Sequence, residues 1–374
     1  MFLKRLELIN FRNYAHLDLN FIQSLNILIG ENAQGKTNIL EAILFIALSR
    51  SARTSRDAEL VRWEESLARV HGEVDRRRRE KVHIDITLDR SGHKTFKVNN
   101  IPKSRLAEVI GQVNVVMFSP QDREIISGEP AARRRFLNLA IAQTHPDYYF
   151  NLACYNKVLS QRNRLLKSFH SATSDGALLE AWDEQLLTYG SRLIAIRERV
   201  VSQLSRCAAL THHKLAGGRE HLEVFYRSNV HLDGASQEAD LRAAYAAELR
   251  RWRKEEIRRG MTLVGPHRDD LKLLINRAEA RMYGSQGQQR TAVLALKLAE
   301  VNLVREWIGE SPILLLDDVM SELDDSRRQQ VMALTDEVEQ ILITCSQQQT
   351  FSDAILRQAG LFRVHEGQVE RLSV

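Results

Sequence analysis

The chain has 374 residues, 44% of them hydrophobic and 27% charged, which excludes a largely disordered or fibrous protein and predicts two packed units or one unit with a large insertion. Lys and Arg number 53 against 48 acidic residues, and the net charge of +5 permits binding to a polyanion without demonstrating it. Three widely separated cysteines and the lack of a long apolar stretch predict reduced thiols, no membrane segment and a cytoplasmic location.

The N-terminal region predicts strands, then a turn, then a helix. Apolar and polar residues alternate at the start, and LNILIG (25–30) is typical of a short buried strand. After Gly35 the apolar residues take helical spacing. VHIDITL (82–88) and VNVVMFS (113–119) predict further strands of the same sheet domain.

The middle of the chain predicts helices. From about Pro130, apolar residues recur at coiled-coil spacing in two runs, 152–166 and 182–200, which indicates a helical hairpin. Strand patterns return in LKLLIN (271–276), ILLLDD (313–318) and QILITCS (340–346), and the chain ends in a hairpin that turns at 366–367. The predicted fold is therefore α/β, with a discontinuous sheet domain (1–129 plus 260–374) and an inserted helical domain (130–259).

A phosphate-binding loop is the most specific motif. GENAQGKT matches G-x-x-x-x-G-K-[ST] and lies between a predicted strand and a predicted helix. Backbone N–H groups at such a turn bind phosphate, Lys36 neutralises the β- and γ-phosphates, and the Thr37 hydroxyl is a Mg²⁺ ligand. The predicted nucleotide site comprises Gly30, Glu31, Asn32, Ala33, Gln34, Gly35, Lys36, Thr37 and Asn38.

An acidic strand end completes this chemistry. ILLLDD places Asp317 as the second Mg²⁺ ligand and Asp318 as the general base that activates water. Alone, the pattern more often indicates a buried strand ending in an acidic turn. Paired with a phosphate-binding loop, it favours an ATPase that uses ATP and Mg²⁺, with Lys36 and Asp318 as its catalytic residues.

A third element begins a helix. Ser285 and Gln288 in SQGQQR (285–290) form an acceptable capping box, and the same helix start, with a flexible Gly287, suits binding of a γ-phosphate. Both roles remain open.

These motifs resemble the ATP-binding parts of ABC/SMC-type ATPases, with Ser285–Gln288 as the signature and Ser321–Asp324 as the D-loop. Lys36 and Asp317 are 281 positions apart, which leaves room for only a short helical insertion in an ABC-type head. FRNY (11–14), FSP (118–120), GPHRDD (265–270) and SQGQQR closely resemble the RecF family of bacterial DNA repair proteins over nearly the whole chain.

The resemblance implies a DNA-binding ATPase of recombinational repair, replication-fork maintenance and the SOS response. Its slow, DNA-stimulated hydrolysis would require a head-to-tail homodimer on duplex or gapped DNA, acting with RecR and RecO to load RecA. It implies that Ser285, Gly287 and Gln288 reach the ATP of the partner copy, that Ser321 and Asp324 form the D-loop, and that Gln121 and Arg12 lie near the nucleotide.

Departures from the family pattern leave some roles open. Asp318 stands where most ABC ATPases have glutamate, no switch histidine follows QILIT, and PQDR (120–123) replaces a SPED string. Thr344 or Ser346 would then have to sense the γ-phosphate, and His267 is either catalytic or a turn residue. The alternative functions are an ABC-type regulatory or assembly ATPase that acts on protein partners without DNA and, with less support, a nucleotide kinase or transferase.

Overall fold

The protein divides into two compact units in a computed structural model. Unit 1 comprises Met1–Asp122 and Lys297–Val374, and unit 2 comprises Arg123–Leu296. The structure describes residues 1–51, 53–54, 56–77, 81–168, 176–232, 237–322, 325–333, 338–347 and 351–372. No helix within these ranges is long and apolar enough to cross a membrane.

The strands are β1 (Phe2–Phe11), β2 (Tyr14–Asn20), β3 (Ser24–Ile29), β4 (Leu67–Asp75), β5 (Val82–Asp89), β6 (Lys94–Val98), β7 (Ile101–Lys103), β8 (Val115–Phe118), β9 (Leu222–Arg227), β10 (Asp270–Ile275), β11 (Ala278–Glu279), β12 (Ile313–Asp317), β13 (Gln340–Cys345), β14 (Gly360–His365) and β15 (Gln368–Leu372). The α-helices are α1 (Lys36–Leu48), α2 (Glu124–Ser127), α3 (Pro130–Thr144), α4 (Pro146–Ser168), α5 (Gly176–Leu215), α6 (Glu238–Arg259), α7 (Ala280–Tyr283), α8 (Gln286–Ile308), α9 (Asp325–Met332) and α10 (Asp353–Gln358).

Unit 1 contains two six-stranded sheets, β2-β1-β4-β5-β6-β7 and β15-β14-β3-β13-β12-β8. The first is antiparallel, whereas β14, β3, β13, β12 and β8 of the second run parallel. Helix α1 contacts strands of both sheets and is buried from Ile39 to Leu48, as expected for a helix that is apolar on every face. The carboxyl ends of neighbouring parallel strands meet at one edge of the second sheet, where ligands bind in α/β proteins.

Unit 2 contains packed helices and a small antiparallel sheet. The predicted helical hairpin is confirmed as α4 and α5, and α6 packs against both helices. Arg162 is fully buried and forms ion pairs with Asp183 and Glu256 at 2.7 Å each. Such pairing satisfies a buried guanidinium, because a buried charge without partners is costly.

The division into units differs from the predicted domain boundaries. The predicted insertion, 130–259, lies wholly in unit 2, but this unit also includes 123–129 and 260–296. Strand β10, assigned from its sequence to the sheet domain, pairs along its whole length with β9 in the three-stranded sheet β11-β10-β9. Pairing between strands so distant in sequence leaves no local pattern from which to locate a boundary.

Candidate functional site

The loop between β3 and α1 adopts a conformation that few residue types tolerate. Ala33 and Gly35 have positive φ values of 67° and 115°. A Cβ atom on Gly30 would lie 2.2 Å from the carbonyl oxygen of Val364, and one on Gly35 would lie 2.6 Å from the Asn13 amide. Glycine is therefore required at both positions. Close packing requires it at Gly30, and both close packing and the positive φ of the backbone require it at Gly35.

Lys36 is positioned by the loop that precedes it. Its Nζ donates hydrogen bonds to the carbonyl oxygens of Gly30 at 2.6 Å and Glu31 at 2.7 Å. Burial lowers the pKa of Lys36, and the nearby Asp317 and Asp318 carboxylates oppose that shift. Because Lys36 is also the first residue of α1, its ammonium and the positive end of the helix dipole together present positive potential to an anion.

The acidic strand end lies next to this loop. The Thr37 hydroxyl donates to Asp317 Oδ1 at 2.8 Å. Burial raises the pKa of Asp317, while hydrogen bonds from Thr37 and Thr344 oppose the shift. A hydroxyl and a carboxylate this close fit Mg²⁺, which prefers oxygen ligands and takes few of them from the protein. The sequence-predicted metal ligands, Thr37 and Asp317, are thus brought together.

Thr344 connects the two acidic residues. Its hydroxyl donates to Asp317 Oδ1 at 2.9 Å and accepts from the backbone N–H of Asp318 at 2.9 Å. Asp318 itself has a positive φ of 51°, a conformation that Asp and Asn adopt more readily than most residues. Fully buried Thr344 therefore fixes the backbone at Asp318, whereas Ser346 is exposed just beyond the end of β13.

Arg12 is held beside the loop. Its guanidinium pairs with both carboxylate oxygens of Glu41 on α1, at 2.8 Å each, and donates to the Glu59 carbonyl oxygen at 2.9 Å. The Arg12 side chain, which is predicted to lie near the nucleotide, thus anchors the second turn of α1.

The loop is also held by residues to which the sequence analysis assigned no role. The Asn13 amide donates to the Gln34 carbonyl oxygen at 3.1 Å, and the Tyr14 hydroxyl donates to that of Gly35 at 3.1 Å. The turn of the C-terminal hairpin adds a third contact, from Gly367 N–H to the Gln34 carbonyl oxygen at 3.3 Å. The FRNY string was the available signal for Asn13 and Tyr14, but nothing in the sequence connects the last hairpin with this loop.

Gln121 lies at the same edge of the parallel sheet. It follows β8 within a short 3-10 turn, Pro120–Arg123, and its side chain is exposed. Strand β8 pairs with β12 so that Phe118 is opposite Leu316, one residue before Asp317. The sheet therefore orders β3, β13, β12 and β8 with all their carboxyl ends on the edge that carries the loop.

The SQGQQR segment begins α8 in unit 2. The capping box is confirmed, because Ser285 N–H donates to Gln288 Oε1 at 2.9 Å and Gln288 N–H donates to Ser285 Oγ at 3.2 Å. A Cβ on Gly287 would meet only Ser285 Oγ, at 3.9 Å. Met282 and Tyr283, immediately upstream, are 69% and 75% exposed. This helix start therefore presents an open backbone beside exposed apolar side chains.

The predicted D-loop and His267 complete the set of residues singled out from the sequence. The structure describes only the backbone of Ser321, in a 3-10 turn at Val319–Glu322, and Asp324 lies outside the described residues, so the D-loop remains a prediction. His267 lies in a 3-10 turn of unit 2, where its ring nitrogens bond to the Tyr155 hydroxyl at 2.7 Å and the Thr262 carbonyl oxygen at 3.2 Å. With both nitrogens engaged, His267 suits a turn role rather than catalysis.

Comparison with known families covers nearly the whole chain. The family model described as RecF/RecN/SMC N terminal domain matches residues 2–370. The DNA replication and repair protein RecF of Geobacillus thermodenitrificans is 39% identical over 370 residues, which cover 99% of each chain. The protein of the same name from Bacillus subtilis is 39% identical over 368 residues, covering 98% of this chain and 99% of that protein.

Solved structures agree with these sequence relationships. The structure of the recombination mediator protein RecF-ATP in the RecFOR pathway has a TM-score of 0.92 at 36% identity and covers 100% of this chain and 98% of that one. The Smc head domain of Pyrococcus furiosus bound to the C-terminal domain of ScpA has a TM-score of 0.54 at 17% identity, covering 100% and 96%, a likeness of fold alone.

Proposed function

The chain belongs to the RecF family of DNA replication and repair proteins, and from this premise we propose that it is an ATPase whose active site is completed by a second copy bound head to tail on DNA. The observation that carries the proposal is the convergence of Lys36, Thr37 and Asp317 at one edge of the parallel sheet. A relative 36% identical is named as a RecF-ATP structure, which supports ATP as the nucleotide here.

The chain's own residues supply the chemistry of binding. Backbone N–H groups of 30–37 and the Lys36 ammonium bind the β- and γ-phosphates of ATP. In doing so, Lys36 exchanges its bonds to the Gly30 and Glu31 carbonyl oxygens for bonds to phosphate oxygens. Thr37 and Asp317 would hold Mg²⁺, which would neutralise phosphate charge.

Asp318 is proposed as the general base. Water attacks the γ-phosphorus, the bond to the ADP oxygen breaks, and Asp318 accepts the proton of the water. The hydrogen bond from its backbone N–H to the Thr344 hydroxyl fixes the backbone position from which the Asp318 side chain extends. Because aspartate is one methylene shorter than the glutamate of most ABC ATPases, we expect the water to be held less well and turnover to be slow.

The second copy is proposed to supply Ser285, Gly287 and Gln288 to the γ-phosphate. The open space around Gly287 at the start of α8 supports this role, because a helix N-terminus attracts phosphate. Gln121, Arg12, Ser321 and Asp324 are proposed to act around the same nucleotide. Arg12 would act through Glu41 and α1, the contacts that it makes here.

The proposed biological role is DNA repair and replication in the cytoplasm, including recombination and the SOS response. In this role the ATP-bound dimer binds duplex or gapped DNA without sequence preference, and RecR and RecO cooperate with it in loading RecA. The RecFOR pathway in the name of the solved relative supports the first two partners. The net charge of +5 allows phosphate contacts but assigns none of them.

Sedimentation velocity combined with fluorescence anisotropy tests this proposal. We expect wild type to dimerise with ATP and to bind labelled gapped duplex more tightly as a dimer, at a stated salt concentration because phosphate contacts are salt-sensitive. Lys36→Ala should lose ATP binding, dimerisation and the ATP-dependent gain in DNA affinity, whereas Lys4→Ala, at an exposed lysine, should lose none of them. Dimers that form with ATP but ignore DNA would favour the ATPase that acts on protein partners.

A further inference from the structure

A cluster of two imidazoles and two carboxylates lies on the antiparallel sheet of unit 1. His71 and Glu73 alternate along β4, and His83 and Asp85 alternate along β5. The register pairs Glu73 with His83 and His71 with Asp85. Since alternate residues share one face of a strand, the four side chains form a two-by-two group on that face. The residues between them, including Gly72 and Ile84, are directed to the buried face.

The ligand atoms of three of these residues are close to one another. One ligand atom from each of His71, Glu73 and His83 lies within 4.8 Å of the others, and His71 Nε2 is 3.7 Å from Glu73 Oε1. Bonds of about 2.0–2.2 Å in a tetrahedral zinc site place ligand atoms about 3.3–3.6 Å apart. Small rotations of these partly exposed side chains therefore suffice to close the site.

Asp85 supplies a partner for the remaining nitrogen of His71. Its Oδ2 lies 3.6 Å from His71 Nδ1, which is buried and has no hydrogen bond of its own. Arg69 Nε holds the same carboxylate oxygen at 2.8 Å. In metal sites, a ligating histidine commonly donates its second N–H to a carboxylate, which fixes the ring and increases its basicity. This geometry gives His71 one nitrogen toward Glu73 and the other toward Asp85.

Charged side chains surround the cluster. Arg5 and Arg69 form ion pairs with the carboxylates of Glu7, Asp18, Glu73 and Asp85. Lys97 lies opposite Asp85 in the register of β5 and β6. Arg5 is held by both oxygens of Asp18 at 2.8 Å and reaches Glu73 at 3.2 Å, so Glu73 retains lone pairs for a metal ion.

We propose that His71, Glu73 and His83 bind a transition metal ion of the Zn²⁺ class, with Asp85 as the hydrogen-bond partner of His71. Two imidazoles select zinc-like ions over Mg²⁺ or Ca²⁺, which prefer oxygen ligands. Three protein ligands leave the fourth position to water. The ion joins β4 to β5 and stabilises the sheet, and it takes no part in the nucleotide chemistry.

Metal-free full-length protein provides the test. Zn²⁺ titration calorimetry without nucleotide should give one ion per chain, and Co²⁺ should give the visible absorption of a tetrahedral site without thiolate charge-transfer bands. His71→Gln and His83→Gln should each weaken binding at least about tenfold, because each removes a ligand. His16→Gln is the matched control, since His16 is 65% exposed on the same sheet and contacts Glu7 instead.

Asp85→Asn keeps all three ligands. It therefore tests the site even if the histidine variants fail to fold. It should still bind Zn²⁺, but about 10–100-fold more weakly, and Zn²⁺ should raise its melting temperature less than that of wild type. Failure of wild type to bind Zn²⁺, or wild-type affinity in both folded histidine variants, would overturn the proposal. Thiolate bands with Co²⁺ would also overturn it, because they would assign the ion to Cys154, Cys207 or Cys345.

Discussion

The hydroxyl of Thr37 donates a hydrogen bond to the carboxylate of Asp317, 2.8 Å away and 280 positions later in the chain. Thr37 lies in the first turn of α1, the helix after β3, and Asp317 ends β12, with β13 between the two strands. Folding thus brings a hydroxyl and a carboxylate into the arrangement that Mg²⁺ requires beside a phosphate-binding loop.

Asp318→Asn should strongly slow turnover and leave ATP binding intact. The amide cannot accept the proton of the attacking water, whereas asparagine tolerates the positive φ of 51° at this position. We expect the steady-state hydrolysis rate to fall by at least about a hundredfold, within the range that general bases contribute. Equilibrium binding of a fluorescent ATP analogue is the control. Turnover at the wild-type rate would remove Asp318 from the mechanism.

Ser285→Arg should spare ATP binding and prevent ATP-dependent dimerisation. The longer charged side chain would occupy the open helix start, and loss of the cap costs about 1 kcal/mol of helix stability. Ser285→Thr keeps both the hydroxyl and the cap and should behave as wild type. Sedimentation velocity with ATP separates the two variants, and normal dimers from Ser285→Arg would contradict the proposed contact in trans.

Tyr283→Ala should weaken the same dimer. Tyr283 lies two residues before Ser285 and is 75% exposed, so its ring makes few contacts in the monomer and has a large area to bury against a second copy. We expect a loss of about 1–2 kcal/mol, or roughly 5–30-fold in the dimer dissociation constant, as for an aromatic interface residue. Trp63→Ala, at an 86% exposed aromatic of unit 1, is the comparison. An unchanged dissociation constant would place Tyr283 outside the interface.

The local structures of the phosphate-binding loop, the acidic strand end and the capping box were predictable from the sequence, because each is a local pattern with specific physical requirements. The contacts that hold the loop were not. Asn13 and Gly367 both bond to the Gln34 carbonyl oxygen, yet no periodicity or spacing relates these three positions.

Prediction of the fold from the sequence has the same limit, because only local patterns can be recognised. The helical hairpin and the terminal turn at 366–367 follow local rules, and both are confirmed. The pairing of β9 with β10, which places β10 in unit 2, depends on tertiary contacts that a strand pattern cannot specify. Likewise, only the structure shows that His267 has both ring nitrogens bonded within a turn.

His267→Gln should flatten the pH dependence of stability. Burial lowers the pKa of His267 to about 4, from 6.5 in the unfolded chain. Between these values the unfolded state binds more protons, so the free energy of unfolding falls as pH decreases from 6.5 to 4, by up to about 3 kcal/mol from this residue. Urea unfolding across that window measures the slope.

The variant should be less stable than wild type at pH 7, because it loses the bond to Tyr155, but less sensitive to acid. Some slope should persist, since burial also lowers the pKa of His145 to about 4. A wild-type slope in His267→Gln would show that His267 is not the titrating group.

ATP turnover measured against protein concentration, with and without gapped duplex DNA at fixed salt, tests the central claim most directly. If two copies complete each active site on DNA, the rate per molecule rises with concentration, and DNA moves that rise to lower concentration. A rate per molecule that is constant across concentrations and unaffected by DNA would contradict the shared site and leave only a self-sufficient ATPase.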